Sequence, residues 1–184
     1  MATTEIRYDE EKLAELMLYV ASAMADEPSF GATMLNKVLF FADFLAYRQF
    51  GSPITGAAYQ RLDYGPAPRR LLPVQQQLVA TGDAIVVKRE HLSYKQSRLV
   101  ALRPANVDVF TPSQVEFVHE VVDAMRGRTA LDVSDLSHRL SVGWQVAAPR
   151  SDIPYNSVFL SSGPLNEQDI AALRAVARDR GVAA

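Results

Sequence analysis

Met34-Leu35-Asn36-Lys37-Val38-Leu39-Phe40-Phe41-Ala42-Asp43 lies inside a longer run, Ala32 to Phe50, that Gly51 and Pro53 bring to a stop. Gly just past the end of a periodic run, with Pro shortly after it, is a helix-termination signal. At about 100° per residue, Met34, Leu35, Val38, Leu39, Phe41, Ala42, Leu45 and Ala46 fill one arc wide enough to be a core face. The opposite arc holds Asn36, Lys37, Phe40, Asp43, Phe44 and Tyr47. Two readings of that second arc are open. Aromatic residues mixed with opposite charges resemble the anchor cluster of a protein interface. Alternatively the helix is central and packed on both sides, and Lys37 and Asp43 then need buried or rim partners.

Working outward, Asp9 precedes a helix whose apolar residues Leu13, Leu16, Met17, Val20 and Met24 keep helical spacing until Pro28. Ile54 to Tyr64, bounded by Gly and Pro, reads as irregular or extended, and Arg69 to Ala80 as a third helix ending at Gly82. Ala84 to Lys88 and Arg98 to Leu102 are short strand-forming runs that predict a hairpin. Thr111, Pro112 and Gln114 start a fourth helix that reaches Arg126 and stops at Gly127. A short fifth follows Asp132, with Asp132 as cap and Asp135 in the first turn. A last helix begins at Asn166, its acids early and its arginines late, before Gly181. The expected fold class is α+β, predominantly helical: a compact helical domain with a small antiparallel β-hairpin or sheet after the third helix. One domain over residues 1–184 is expected, with a possible division into lobes 1–103 and 111–184.

The 184 residues are 48% hydrophobic and 22% charged, the balance of a globular domain large enough to fold without disulfides. There is no cysteine, which removes thiolate catalysis and cysteine-based zinc sites and fits a reducing compartment. With neither a secretory leader nor a membrane span in the pattern, a cytoplasmic location is expected. The total charge of −2 conceals a gradient. Between Gln60 and Arg103 stand eight basic residues and three acidic ones, among the former Arg69, Arg70, Lys88, Arg89, Lys95 and Arg98. A basic face on an acidic chain predicts an anionic partner, protein or nucleic acid.

Catalytic and cofactor motifs are missing. No phosphate-binding loop, nucleophile elbow or dinucleotide fingerprint occurs, and the three histidines lack metal-site spacing. His119 and Glu120 begin like a zinc-protease motif, but position 123 is Asp123. The reading is therefore a binding protein and not an enzyme, without metal or cofactor. Gly65, placed before Pro66 where the right-handed helical region is disfavoured, is expected to be a more demanding turn position than Gly56.

The decapeptide quoted above, followed by Gly51-Ser52-Pro53-Ile54-Thr55-Gly56, Tyr59 and Gly65-Pro66, resembles the SocA-like antitoxins, also called the Panacea domain. His138, Trp144 and Ile153-Pro154-Tyr155 resemble its C-terminal half, so most of Ile6 to Arg180 is covered. Phe40 and Phe41 stand where a Tyr is common, and Ala67 where a β-branched residue is usual. The resemblance implies a bacterial or phage antitoxin that neutralises a cognate, adjacently encoded toxin by direct binding, with no cofactor and no turnover. The toxin-binding candidates are Asn36, Lys37, Phe40, Asp43, Tyr47 and Tyr59, with Gly65 and Pro66 as a turn motif. The alternatives are an adaptor that delivers a toxin to a protease, or a winged-helix-like regulator reading operator DNA. The latter would use Arg69, Arg70 and Gln75 to Gln77 on the third helix and the basic residues of the hairpin.

Overall fold

Asp9 opens helix α1, Glu10–Ala23, by accepting from the Lys12 backbone N–H at 3.0 Å, and Glu10 and Glu11 complement the positive helix end. The computed structural model describes residues 5–91 and 94–160, with the side chains of 89–91, 94 and 95 left aside; the helix expected from Asn166 lies outside it. α1 buries the periodic set Leu13, Leu16, Met17 and Val20. Its C-terminal end is closed from afar. The Arg98 guanidinium donates to the carbonyls of Met24 at 3.0 Å, of Ala25, and of Glu27 at 2.8 Å, and lies 5.3 Å from the Phe30 ring.

Helix α2, Ala32–Phe50, runs through the middle of the molecule and ends at Gly51 with φ 75°, a left-handed C-cap. It packs against α1 and the elements described below on nearly every side, so Lys37, Phe40, Asp43 and Phe44 are as buried as Leu39 and Phe41. The two-sided packing foreseen as one of two readings is what the structure has.

Where an irregular or extended stretch was expected, strands β1, Tyr59–Leu62, and β2, Gly65–Pro68, pair antiparallel, with Tyr59 opposite Pro68 and Leu62 opposite Gly65. Two prolines in four residues argue against a central strand, but β2 is an edge, and Gly65 and Ala67 keep the donors an edge needs on one side only. A two-residue strand, β5, Asp152–Ile153, pairs with the other side of β1, giving the order β2-β1-β5. Helix α3, Leu71–Ala80, starts two residues later than expected, because Arg69 and Arg70 are engaged elsewhere. Strands β3, Ala84–His91, and β4, Tyr94–Ala101, form the expected hairpin, longer than the apolar runs alone indicated.

A 3-10 turn, Val107–Val109, leads to α4, Pro112–Met125, which carries the full capping box of Thr111 and Gln114. Helix α5, Ala130–Leu140, corrects the expectation that Asp132 is its cap. Thr129 caps it, and Asp132 is the third helical residue, returning a bond to the Thr129 backbone N–H. A one-turn helix α6, Val142–Val146, and a 3-10 segment, Tyr155–Phe159, complete the described chain. One hydrophobic cluster joins both halves, from Leu13 to Tyr155.

Arg98→Met keeps the apolar stem but withdraws the donors from three carbonyls at the end of α1. Hydrogen bonds to a charged group are worth about 1.5–3 kcal/mol each, with partial replacement by water where carbonyls are accessible. We expect the variant to lose about 2–3 kcal/mol of unfolding free energy in urea titrations.

Candidate functional site

The residues singled out on α2 converge on a polar centre within an aromatic shell. Asp43 is fully buried. Its Oδ1 accepts from the Thr55 backbone N–H at 2.7 Å, and its Oδ2 accepts from the Thr55 hydroxyl at 2.5 Å and from Tyr59 at 2.8 Å. The Tyr59 hydroxyl is also 2.8 Å from the Leu39 carbonyl oxygen, so one proton faces two acceptors. Tyr155 donates to the Ala57 carbonyl at 2.7 Å, and Thr55 Oγ accepts from the Ala57 N–H. Burial pushes the Asp43 carboxyl above its ordinary range, opposed by the hydrogen bonds from Thr55, Tyr59 and Tyr155, and burial likewise raises both tyrosines. Around this centre Phe44 stacks on Tyr155 at 4.6 Å and meets Tyr59 edge-on at 5.4 Å, while Phe40 lies 4.3 Å from Phe44.

One helical turn and more toward the N-terminus, Lys37 is only 2% exposed. Its ammonium donates to the Pro66 carbonyl at 3.3 Å, and no carboxylate among the described residues pairs with it. Burial depresses its pKa to about 7. The amine fits because residue 65 is glycine: with φ 106°, a Cβ there would lie 2.5 Å from Lys37 Nζ and 2.8 Å from Ser137 Oγ. Gly56 is no freer, contrary to the expected ranking. Its φ is 69°, and a Cβ would come 2.1 Å from the Arg7 carbonyl oxygen. Both positions require glycine through conformation and space together.

Farther along, His138 stacks on Trp144 with ring centroids 3.8 Å apart, and the Arg61 guanidinium lies 4.9 Å from the Trp144 ring. Trp144 Nε1 donates to the Leu62 carbonyl at 2.9 Å and Arg61 to the Ala147 carbonyl at 2.5 Å, so α5 and α6 are fastened to the β1–β2 hairpin. Burial and the nearby Lys37 charge hold His138 below its ordinary pKa. His119, of the incomplete zinc-like motif, faces Asp123 at 3.3 Å. Among the described residues no three His, Cys, Asp or Glu side chains converge as metal ligands.

The structure brings Lys37, Phe40, Asp43, Tyr59, Gly65 and Pro66 together in the interior and leaves Asn36 and Tyr47 half-buried at its margin. Of the six toxin-binding candidates, Lys37, Phe40, Asp43 and Tyr59 are therefore buried in the free chain, as the reading of a helix packed on both sides requires of its charged residues. Several arginines of the basic patch have partners within the chain. Arg69 pairs with Asp152 at 2.5 Å, Arg70 with Glu10 at 2.6 Å, and Arg103 with Glu15 at 2.7 Å and Asp83 at 2.8 Å, while Arg98 is buried against α1. Lys88 is exposed, and the side chains of Arg89 and Lys95 lie outside those described. Thr55 as a partner of Asp43, and Tyr155 as the residue that joins the cluster through the Ala57 carbonyl, escaped sequence reasoning. Their only signal was membership of the Gly51–Gly56 and Ile153–Tyr155 stretches, since no helical or strand period links residue 43 to 55 or 155.

Two outcomes follow. Asp43→Asn presents an amide N–H₂ to groups that are themselves donors, and we expect it to lower the melting temperature about as much as Leu39→Ala, a cavity-forming change worth roughly 2–5 kcal/mol. For Lys37, the unfolded chain holds the proton up to pH 10.5 and the folded chain only up to about 7. The unfolded state therefore binds more protons between those values, and stability rises with pH across that window. Lys37→Met removes the penalty. Urea titrations should show it stabilising the chain by roughly 1–4 kcal/mol at pH 6, with the gain shrinking steadily toward pH 10.

No helix of the described residues is long and apolar enough to cross a membrane. A family model described as antitoxin SocA-like, Panacea domain, matches residues 35–145, more than half of the chain and the part that contains Lys37, Asp43, Tyr59, Gly65 and Trp144. No curated protein and no solved structure matches the chain. With its signature residues forming the interior that organises the fold, this chain belongs to the SocA-like, Panacea-domain antitoxin family.

Proposed function

We propose that this chain neutralises a toxin encoded beside its own gene, by binding the toxin directly in the cytoplasm and without turnover. The family match over residues 35–145 is the observation that carries the reading. The α2 centre supports it in a specific way. Asp43, Tyr59, Thr55 and Lys37 would be a conspicuous catalytic set on an open cleft, but they are sealed, at 0%, 1%, 1% and 2% exposure. Their hydrogen bonds run to one another and to backbone, so their work is to hold the scaffold on which a binding surface is displayed. Of the α2 candidates, Asn36 and Tyr47 are the two with surface to offer a partner.

Reading of operator DNA draws less support from the same geometry. A DNA-binding face needs cations free to replace counterions along the phosphates. Arg69, Arg70 and Arg103 already sit on carboxylates of the same chain, and Arg98 is spent on the end of α1.

Co-expression with the adjacent gene should restore growth that the neighbour alone suppresses, and the two proteins should co-elute on gel filtration. Rescue without a complex would replace direct neutralisation by delivery of the toxin to a protease. Within a rescuing pair, Tyr47→Ala should leave the free chain folded and weaken binding by about 2 kcal/mol if Tyr47 is an anchor, whereas Asp43→Ala should unfold the chain and abolish rescue through instability.

A further inference from the structure

Outside the α2 centre, the described surface has an open groove of about 620 Å³ between Tyr19 of α1, the 3-10 turn at Val107–Val109, and the first half of α4. Val107, Phe110 and Val115 give it an apolar lining, and Val107 is 41% exposed. Asp108 and Glu116 stand among its lining residues, both exposed. Glu10, Glu15, Asp83, Asp123 and Asp152 are each paired with an arginine of the chain, while exposed acids such as Asp63 and Glu120, which are in no ion pair among the described residues, do not line the groove. Asp108 and Glu116 take part in no ion pair among the described residues. Apolar surface flanked by acids without counter-charge is complementary to an amphipathic segment of opposite sign. The volume is within the range of clefts that take up ligands and short segments. The wall is firm on one side, because Tyr19 Oη lies 3.3 Å from His119 Nδ1, whose ring also faces Asp123.

We infer that the groove formed by Tyr19, Val107, Phe110 and Val115 receives a segment of the neutralised toxin in which an apolar side chain is flanked by lysine or arginine, read by Asp108 and Glu116. This rests on neutralisation by direct binding and adds to it a surface and a partner chemistry. It also gives the partner the opposite sign to the one the basic stretch of sequence implied, since Arg69, Arg70, Arg98 and Arg103 of that stretch are engaged within the fold while Asp108 and Glu116 are in no ion pair among the described residues.

The test uses the full chain with its co-expressed toxin. The double variant Asp108→Lys, Glu116→Lys should weaken the complex at least tenfold, with an unchanged melting temperature of the free chain. Asp108→Asn, Glu116→Gln should weaken it in the same direction and flatten its salt dependence. Lys88→Glu on the hairpin should leave affinity unaltered. Because the chain has no cysteine, Val107→Cys can carry a single photo-crosslinker, expected to capture a toxin peptide containing an apolar residue beside Lys or Arg. Near-native affinity of both charge variants overturns the inference, as does crosslinking confined to residues 161–184 of the same chain or to a second copy. If the wild-type chain forms no complex with any toxin, direct neutralisation fails and this inference falls with it; a normal wild-type complex indifferent to the groove overturns this inference alone.

Discussion

A carboxylate in an apolar interior has to be given donors, and Asp43 is such a carboxylate. Three of its contacts come from Thr55 and Tyr59, and Tyr155 closes the same cluster from a segment about a hundred residues away. Left without them, a buried charge would cost several kcal/mol or force protonation. The loop from Gly51 to Ala57, strand β1 and the 3-10 segment at Tyr155 are therefore tied to one point on α2. The N-terminal chain is drawn in as well, because Asp9 donates its backbone N–H to the Thr55 carbonyl at 2.8 Å. Much of the fold's connectivity outside the helices follows from satisfying this one group.

Lys37 is the counterpart with a different solution. It is buried nearly as deeply but, among the described residues, has a single backbone acceptor and no acid, so its charge is a cost and not a tie. The cost is held in place by shape: Gly65, in a conformation closed to most side chains, leaves the room the amine occupies. A scaffold with such a group at its centre is less stable than its packing alone would make it. A partner that binds the folded form would offset that cost, since whatever binds the folded form adds to its stability.

Arginines act as the external ties. Arg98 closes α1, Arg103 joins α1 to the start of β3 through Glu15 and Asp83, Arg69 reaches Asp152 on β5, and Arg126 bonds Asp123 while donating to the Ala23 carbonyl. A planar guanidinium with several fixed donors suits this cross-linking duty. The functional consequence is a surface whose charge differs from that of the sequence. The stretch from Gln60 to Arg103 is strongly basic on paper, but Arg69, Arg70 and Arg103 face acids, and Arg61 and Arg98 are spent on backbone carbonyls.

Helical spacing, Gly and Pro stops and the Thr111 capping box are local quantities, and from them the sequence alone determined α1, α2, α4 and the β3–β4 hairpin, while the family was legible through the resemblance carried by the Met34–Asp43, Gly51–Gly56 and Gly65-Pro66 motifs. It also isolated Lys37, Asp43, Tyr59 and Gly65 as unusual. What they do was beyond its reach, because periodicity gives the angle of a side chain about its own helix and not what lies opposite. That α2 is covered on both faces, that Gly-Pro-Ala-Pro can be a strand once it is an edge, that Thr55 answers Asp43, and that Arg69, Arg70 and Arg103 are paired with acids are all contacts between positions separated in sequence. Only the tertiary structure decides such contacts, since burial and charge compensation depend on distances that close when the chain folds.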